Sequence, residues 1–305
     1  MPNNSQKEIQ DAILKLKEQL NAILLVHNYQ RPEIQDIADF LGDSLGLAKQ
    51  AAETDADKIV FCGVEFMAET AKILSPEKTV LLPERDAGCP MANMVTAEEI
   101  LEIKKEHPDA KVVSYVNTTA NVKAVSDVCC TSSNAVQVVK NLAADKIIFT
   151  PDKNLGSWVQ RFVDKEMILW DGFCYVHHRI TPEDIKKSKQ KMPEAPVVVH
   201  PECQAEVADL ADRVESTGGM VKFARDTEAN KIIVGTESGI LHRLKKENPD
   251  KEFYTAGPPR ICQNMKKITL ESVLEALQNG QYQIEVPEKT AKSAKVALDK
   301  MLDYS

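Results

Sequence analysis

Seven cysteines stand at positions 62, 89, 129, 130, 174, 203 and 262. No two of them form a Cys-x-x-Cys pair, so a zinc finger, a zinc ribbon or a compact cluster motif is excluded by spacing. Three of the seven are set apart by context. Cys89 (RDAGCPMANM), Cys174 (DGFCYVHHR) and Cys262 (PPRICQNM) each sit in a short loop, at steps of 85 and 88 residues. Thiolates select soft metals, so a site gathered from these three points to zinc or an iron–sulfur cluster. Three protein ligands leave a position open for substrate, and a metal there acts as a Lewis acid. His177 and His178 follow Cys174 closely and read either as a source of a fourth ligand or as a polar loop pair. Cys62, inside the apolar run DKIVFCG, reads as a small buried hydrophobe.

Two further sets share that internal spacing. His27 and Tyr29 end the run AILLVHNYQ, Tyr115 and Asn117 stand in the same places in KVVSYVNTT, and His200 and Glu202 in PVVVHPECQ, at steps of 88 and 85. Tyr, His and Glu beside a metal are suited to proton transfer. Ser44, Ser132 and Thr217 recur at the same steps near the starts of GDSLGLAKQAAE, CTSSNAVQVVKNL and STGGMVKFARD. Hydroxyl residues cap helices, and helix starts present free N–H groups that bind carboxylate or phosphate. Three such starts converging on one centre predict a substrate with several anionic groups.

The elements that must position these residues follow from the same repeat. DKIVFCG, DKIIFTP and NKIIVGT are short β-branched runs that read as buried parallel strands. After each comes a short extended run (VLLP, MILWD, FYTAG), then the cysteine loop, then a threonine opening a helix: Thr96, Thr181 and Thr269. Thr96 begins a capping box with Glu99, and Pro182 takes the favoured first helical position. The chain therefore reads as three βαβαβα units of about 86 residues. The predicted class is α/β: three similar three-layer α/β/α units with parallel sheets arranged around a pseudo-threefold axis. In sequence they divide as residues 1–108 with an amino-terminal helix (7–20), 109–194, and 195–305 with a carboxyl-terminal helix (289–302). Both flanking helices are expected to pack on the outside. Ligands bind at the carboxyl ends of parallel strands, where His27, Tyr29, Tyr115, Asn117, His200 and Glu202 are expected.

Composition narrows the setting. Of 305 residues, 43% are hydrophobic and 28% charged, which fits a soluble globular protein. No run of 18 apolar residues occurs, so no membrane span or membrane partner is expected. The segment MPNNSQKEIQDAILKLKEQL lacks the apolar core of a secretory signal, and a cytoplasmic location follows. A net charge of −8 without a basic run argues against a nucleic-acid partner. An odd cysteine number in such a chain argues against a disulfide framework.

The stretches HNYQRPEIQDIADFLGDSLGLA, CGVEFMAETAKILSPEK, GCPMANM, YVNTTA, TSSNA, PDKNLG, CYVHHRIT, HPEC and STGGM, spread from about residue 8 to 300, resemble the quinolinate synthase family. The resemblance implies an enzyme, a transferase of de novo NAD biosynthesis. It would condense iminoaspartate with dihydroxyacetone phosphate to quinolinate and release phosphate and water. It implies a [4Fe-4S] cluster on Cys89, Cys174 and Cys262, with the open iron as Lewis acid. Tyr29 and Glu202, with His27 and His200, would move protons. Tyr115 and Asn117 would orient substrate, while Ser44, Ser132 and Thr217 would hold carboxylates or phosphate. The imine would come from an L-aspartate oxidase or an aspartate dehydrogenase. Cys262 stands alone in RICQNM, so a local disulfide switch is not expected. Competing readings are a zinc-dependent lyase or aldolase, an iron–sulfur sensor, and a structural repeat protein; the last would not need His, Tyr and Glu at matching strand ends.

Overall fold

The computed structural model describes residues 4–304. Three separate four-stranded sheets are formed, all parallel. The first holds β1 (Ala22–His27), β2 (Phe40–Gly42), β3 (Lys58–Cys62) and β4 (Thr79–Leu81). The second holds β5 (Lys111–Tyr115), β6 (Val128–Cys130), β7 (Lys146–Thr150) and β8 (Glu166–Leu169). The third holds β9 (Val197–Val199), β10 (Arg213–Val214), β11 (Lys231–Gly235) and β12 (Glu252–Thr255). The spatial order is the same in each: β2-β1-β3-β4, β6-β5-β7-β8 and β10-β9-β11-β12. The chain is thus an α/β protein of three similar units.

The central pairs carry the β-branched runs. Ile23, Leu24 and Leu25 of β1 face Ile59, Val60 and Phe61 of β3 in register, and Val112 and Val113 of β5 face Ile148 and Phe149 of β7. Burial on both faces is why these strands read as continuous apolar runs rather than alternating ones. The sequence indicates three strands per unit; the structure adds the edge strands β2, β6 and β10. At two or three residues each, they are too short to carry a period.

Helices bind the units to one another. The helix Ala97–Glu106 leaves the first sheet, yet its Ile100 packs with Val112, Val122 and Ile148 of the second. The helix Pro182–Lys191 leaves the second sheet and packs Ile185 with Val197, Val199 and Ile233 of the third. The helix Leu270–Asn279 leaves the third and lies against the helix Asn4–Gln19 and β3 of the first. The connection is therefore cyclic. All three helices start at the threonines read as caps, and each has a reciprocal capping box: Thr96 with Glu99, Thr181 with Asp184, Thr269 with Ser272. Thr181→Ala removes one such box and is expected to cost about 1 kcal/mol, read as a lower urea midpoint; an unchanged midpoint would show the box to be neutral.

The carboxyl-terminal helix, Glu288–Asp303, buries Ala294, Ala297, Leu298 and Met301. It lies along the helix Ala120–Ala124, strand β6 and the helix Glu65–Leu74, so it covers the second and first units. No helix among the described residues is long and apolar enough to cross a membrane.

Candidate active site

The three sheets turn their carboxyl ends toward one open-mouthed cavity. Its wall contains Cys89, Cys174 and Cys262, one from each unit. It also contains His27, Tyr29, Tyr115, Asn117, His200 and Glu202 from the ends of β1, β5 and β9, and Ser44, Ser132 and Thr217. All twelve residues singled out by spacing thus line a single chamber.

Short connections after the strands aim the polar groups. His27 closes β1 and its Nδ1 accepts the N–H of Tyr29 at 3.2 Å; His200 follows β9 and its Nδ1 accepts the N–H of Glu202 at 3.3 Å. The same two-residue turn, repeated in two units, fixes both tautomers. With Nδ1 accepting, the proton of the neutral ring sits on Nε2. Burial, the largest influence on each, makes both imidazoles hard to protonate and outweighs the pull of the neighbouring carboxylates, Asp43 and Glu202 for His27 and Glu202 for His200. The pKa of His27 falls to about 4 and that of His200 to about 3.

A hydrogen-bonded chain crosses the chamber. The Tyr29 hydroxyl meets the Thr236 hydroxyl at 2.5 Å and His177 Nε2 at 3.3 Å. His177 Nδ1 lies 2.8 Å from Glu202 Oε2, and the Tyr115 hydroxyl donates to Glu202 Oε1 at 2.5 Å. The His177 and His200 rings stack with centroids 4.4 Å apart. Burial opposes ionisation of Glu202, but His177, His200 and the bonds from His177 and Tyr115 outweigh it and hold the carboxyl well below its usual range. Burial and the Glu202 charge push the phenols of Tyr29 and Tyr115 well above theirs. The resting arrangement is therefore one carboxylate with neutral phenols around it.

The two buried histidines set an acid limit on stability. Unfolded histidine titrates near 6.5, well above these folded values, so the unfolded chain binds more protons below that point. Stability is expected to fall as pH drops from about 6.5 toward 4, by about 1.4 kcal/mol per pH unit for each ring. Glu202, whose folded value is depressed, adds its loss only below its ordinary 4.5. Urea midpoints at pH 7 and pH 5 check this: a flat profile contradicts it, and His200→Asn should halve the slope.

The thiols share a local design. The backbone amide three residues on faces each sulfur: Ala92 for Cys89, His177 for Cys174 and Met265 for Cys262. At Cys89 and Cys174 this contact is looser than a cap hydrogen bond. Burial, the largest influence, pushes Cys89 up to about 12, and Cys174 and Cys262 upward as well, against the pull of those amides. Cys262 raises the cost of charging Cys89, and Cys89 that of charging Cys174, so Cys89 is an electrostatic neighbour of both. A ligand atom each from Cys174, His177 and Glu202 also lies within 4.8 Å of the others.

The structure refines several expectations. The helices expected to be capped by Ser44 and Thr217 are capped one residue earlier, by Asp43 and Ser216. Ser44 and Thr217 therefore begin the first turn, and the Thr217 hydroxyl accepts from Asn28 Nδ2 at 3.2 Å. Ser132 lies in the turn ahead of the helix Ala135–Asn141. Asn117 Oδ1 is buried without a hydrogen-bond partner. The adjacent histidines part company: His177 faces the chamber, while His178 packs on Phe173 with centroids 4.4 Å apart. Sequence reasoning missed Asp43, Phe66, Met67 and Met265 in the wall, and Thr236 behind Tyr29. Only Asp43 left a signal, as the residue before a recurring hydroxyl.

A parallel α/β scaffold with a buried Tyr–His–Glu chain beside three thiols at the strand ends defines an enzyme. Residues 11–303 match the quinolinate synthetase A protein family. A quinolinate synthase of Methanoregula boonei is 56% identical over 96% of this chain and 97% of its own. One of Thermodesulfovibrio yellowstonii is 58% identical, again over 96% and 97%, and one of Geotalea uraniireducens is 55% identical over 97% and 98%. The chain belongs to the quinolinate synthetase A family.

Proposed function

We propose that this chain is a cytoplasmic quinolinate synthase, condensing iminoaspartate with dihydroxyacetone phosphate and releasing phosphate and water in de novo NAD biosynthesis. An L-aspartate oxidase or an aspartate dehydrogenase supplies the imine. The observation that carries the reading is the meeting of three thiols, one per unit, with the Tyr29–His177–Glu202–Tyr115 chain on one chamber wall. Units disposed about a pseudo-threefold axis would give this convergence.

The donor set fits a [4Fe-4S] cluster on Cys89, Cys174 and Cys262. Three thiols are the soft ligands such a cluster takes, and amides face each sulfur. Held protonated by burial, the thiols release protons as they ligate. When bound, the cluster supplies a Lewis-acidic iron without a protein thiolate.

The chain's own groups do the rest. Glu202, ionised and within reach of His177 and Tyr115, takes up and returns protons. Tyr29, bonded to Thr236 and His177, carries a proton to the opposite side of the chamber. His27 and His200 present neutral Nε2–H groups that donate to substrate oxygen. The unpaired Asn117 Oδ1 accepts an N–H of the imine or amine. Ser44, Ser132 and Thr217 hold carboxylate or phosphate oxygens by their hydroxyls and adjacent amides. Asp43 stands among them, but its carboxylate is occupied by Gly46 N–H and the Ser133 hydroxyl, both at 2.8 Å.

The test is an anaerobic assay of the iron-loaded protein with an imine source and dihydroxyacetone phosphate. Quinolinate formation is expected; none, with the cofactor in place, overturns the reading. The close grouping of Cys174, His177 and Glu202 favours a second reading, a single-metal lyase. Against it, His177 and Glu202 spend their ligand atoms on each other, on Thr236 and on Tyr115.

A further inference from the structure

Two buried carboxylates repeat with the period of the fold. Asp152 lies two residues beyond β7 and Glu237 two beyond β11, a step of 85, and both are 0% exposed. Neither lines the chamber. Each instead accepts the backbone N–H of its own unit's cysteine: Asp152 Oδ2 from Cys174 at 3.1 Å, Glu237 Oε1 from Cys262 at 3.2 Å. Their other oxygens are also occupied. Asp152 Oδ1 accepts from the amides of Asn154 and Leu155 at 2.8 and 2.9 Å. Glu237 Oε2 accepts from Gly239 N–H at 2.6 Å, and Lys266 Nζ lies 3.2 Å from Oε1. Gly239 is bound to this arrangement, because a Cβ there would stand 2.7 Å from Glu237 Oε2 and 2.8 Å from Tyr29 O.

The surrounding backbone is shared by all three units. Glu65 N–H donates to Ala87 C=O, Lys153 N–H to Gly172 C=O and Ser238 N–H to Arg260 C=O, each at 2.9 Å. In every case the cysteine lies two residues beyond the acceptor. In the first unit the position matching Asp152 and Glu237 is Val64. Burying a carboxylate is costly unless it is well satisfied. Two of the three units bear that cost at the residue that reaches the cysteine amide.

We infer that Asp152 and Glu237 are positioning residues that hold the Cys174 and Cys262 loops in their ligating conformation, a brace that the Cys89 loop lacks. The inference rests on the reading of these cysteines as ligands. Partners behind the ligands orient a metal site, and losing one typically weakens metal holding about 10- to 100-fold.

Two measurements separate this brace from the ligand reading. In the iron-loaded protein, Asp152→Ala and Glu237→Ala should speed loss of iron to a chelator by about 10- to 100-fold. Asp152→Asn and Glu237→Gln keep one oxygen for the cysteine amide but turn an NH2 toward the amides on the other side, and should lose iron at a rate between those of the alanine variant and the wild type. In metal-free protein, hydrogen exchange should speed at the Cys174 loop in Asp152→Ala and at the Cys262 loop in Glu237→Ala, and not elsewhere. If an alanine variant does not fold, Glu237→Asp, which withdraws the oxygen but keeps the charge, should give the same local change at Cys262. Unchanged exchange at both loops, or an equal change throughout the molecule, overturns the brace. A wild-type protein that takes up no iron overturns the ligand reading, while the exchange result still decides the brace.

Discussion

Cys174→Ser should abolish iron retention and turnover together. The sulfur faces the chamber with those of Cys89 and Cys262, and its loop is tied to Asp152. A serine hydroxyl is a hard, weakly acidic group and a poor substitute for thiolate at a soft metal. Iron in the anaerobically purified variant is expected at background and quinolinate formation below detection, with an unfolding midpoint near that of the metal-free wild-type protein. The controls are chemical neighbours in the wrong places. Cys62 lies buried within β3 and Cys203 is buried beyond β9. Cys62→Ser and Cys203→Ala should lose some stability through packing and keep the iron. Full turnover by an iron-free Cys174→Ser protein would remove the metal from the reaction.

Glu202→Gln should keep the iron and lose most of kcat. Glu202 joins His177 at one oxygen and Tyr115 at the other, so the isosteric amide fits the space but cannot hold a negative charge. General acid–base groups typically contribute about 10²- to 10⁴-fold, and a drop of that size in kcat is expected. KM should move little if Glu202 handles protons rather than binding. Wild-type turnover in the variant would take Glu202 out of the mechanism and leave Tyr29 and the histidines to carry it. Because His177 leans on the same carboxylate, His177 and Glu202 substitutions should be strongly non-additive.

The internal repeat made much of this legible before any coordinates. Cys89, Cys174 and Cys262 could be chosen over four other cysteines because only they recur. The cap at Thr96 is readable because a capping box is a local pattern, complete within four residues, and those at Thr181 and Thr269 follow from the repeat spacing. What failed to show lacked either length or locality. Strands β2, β6 and β10 are too short to display a period. The packing of each exit helix on the next sheet joins elements whose pairing no local pattern encodes. The Thr236 hydroxyl meets that of Tyr29 across 207 residues, and one threonine after a strand looks like any other. The caps at Asp43 and Ser216 lie one residue before the expected positions, which is ordinary uncertainty in a helix start. That shift matters chemically, since it moves Ser44 and Thr217 off the cap position and onto the chamber wall.

The most direct test of the central claim, one cofactor shared by three distant thiols, is an iron and acid-labile sulfide count on anaerobically prepared protein. About four of each per chain is predicted, with both lost in Cys89→Ser, Cys174→Ser and Cys262→Ser alike. A single metal ion without sulfide, held in Cys89→Ser and Cys262→Ser but released in Glu202→Gln, would contradict the account and put the metal on Cys174, His177 and Glu202.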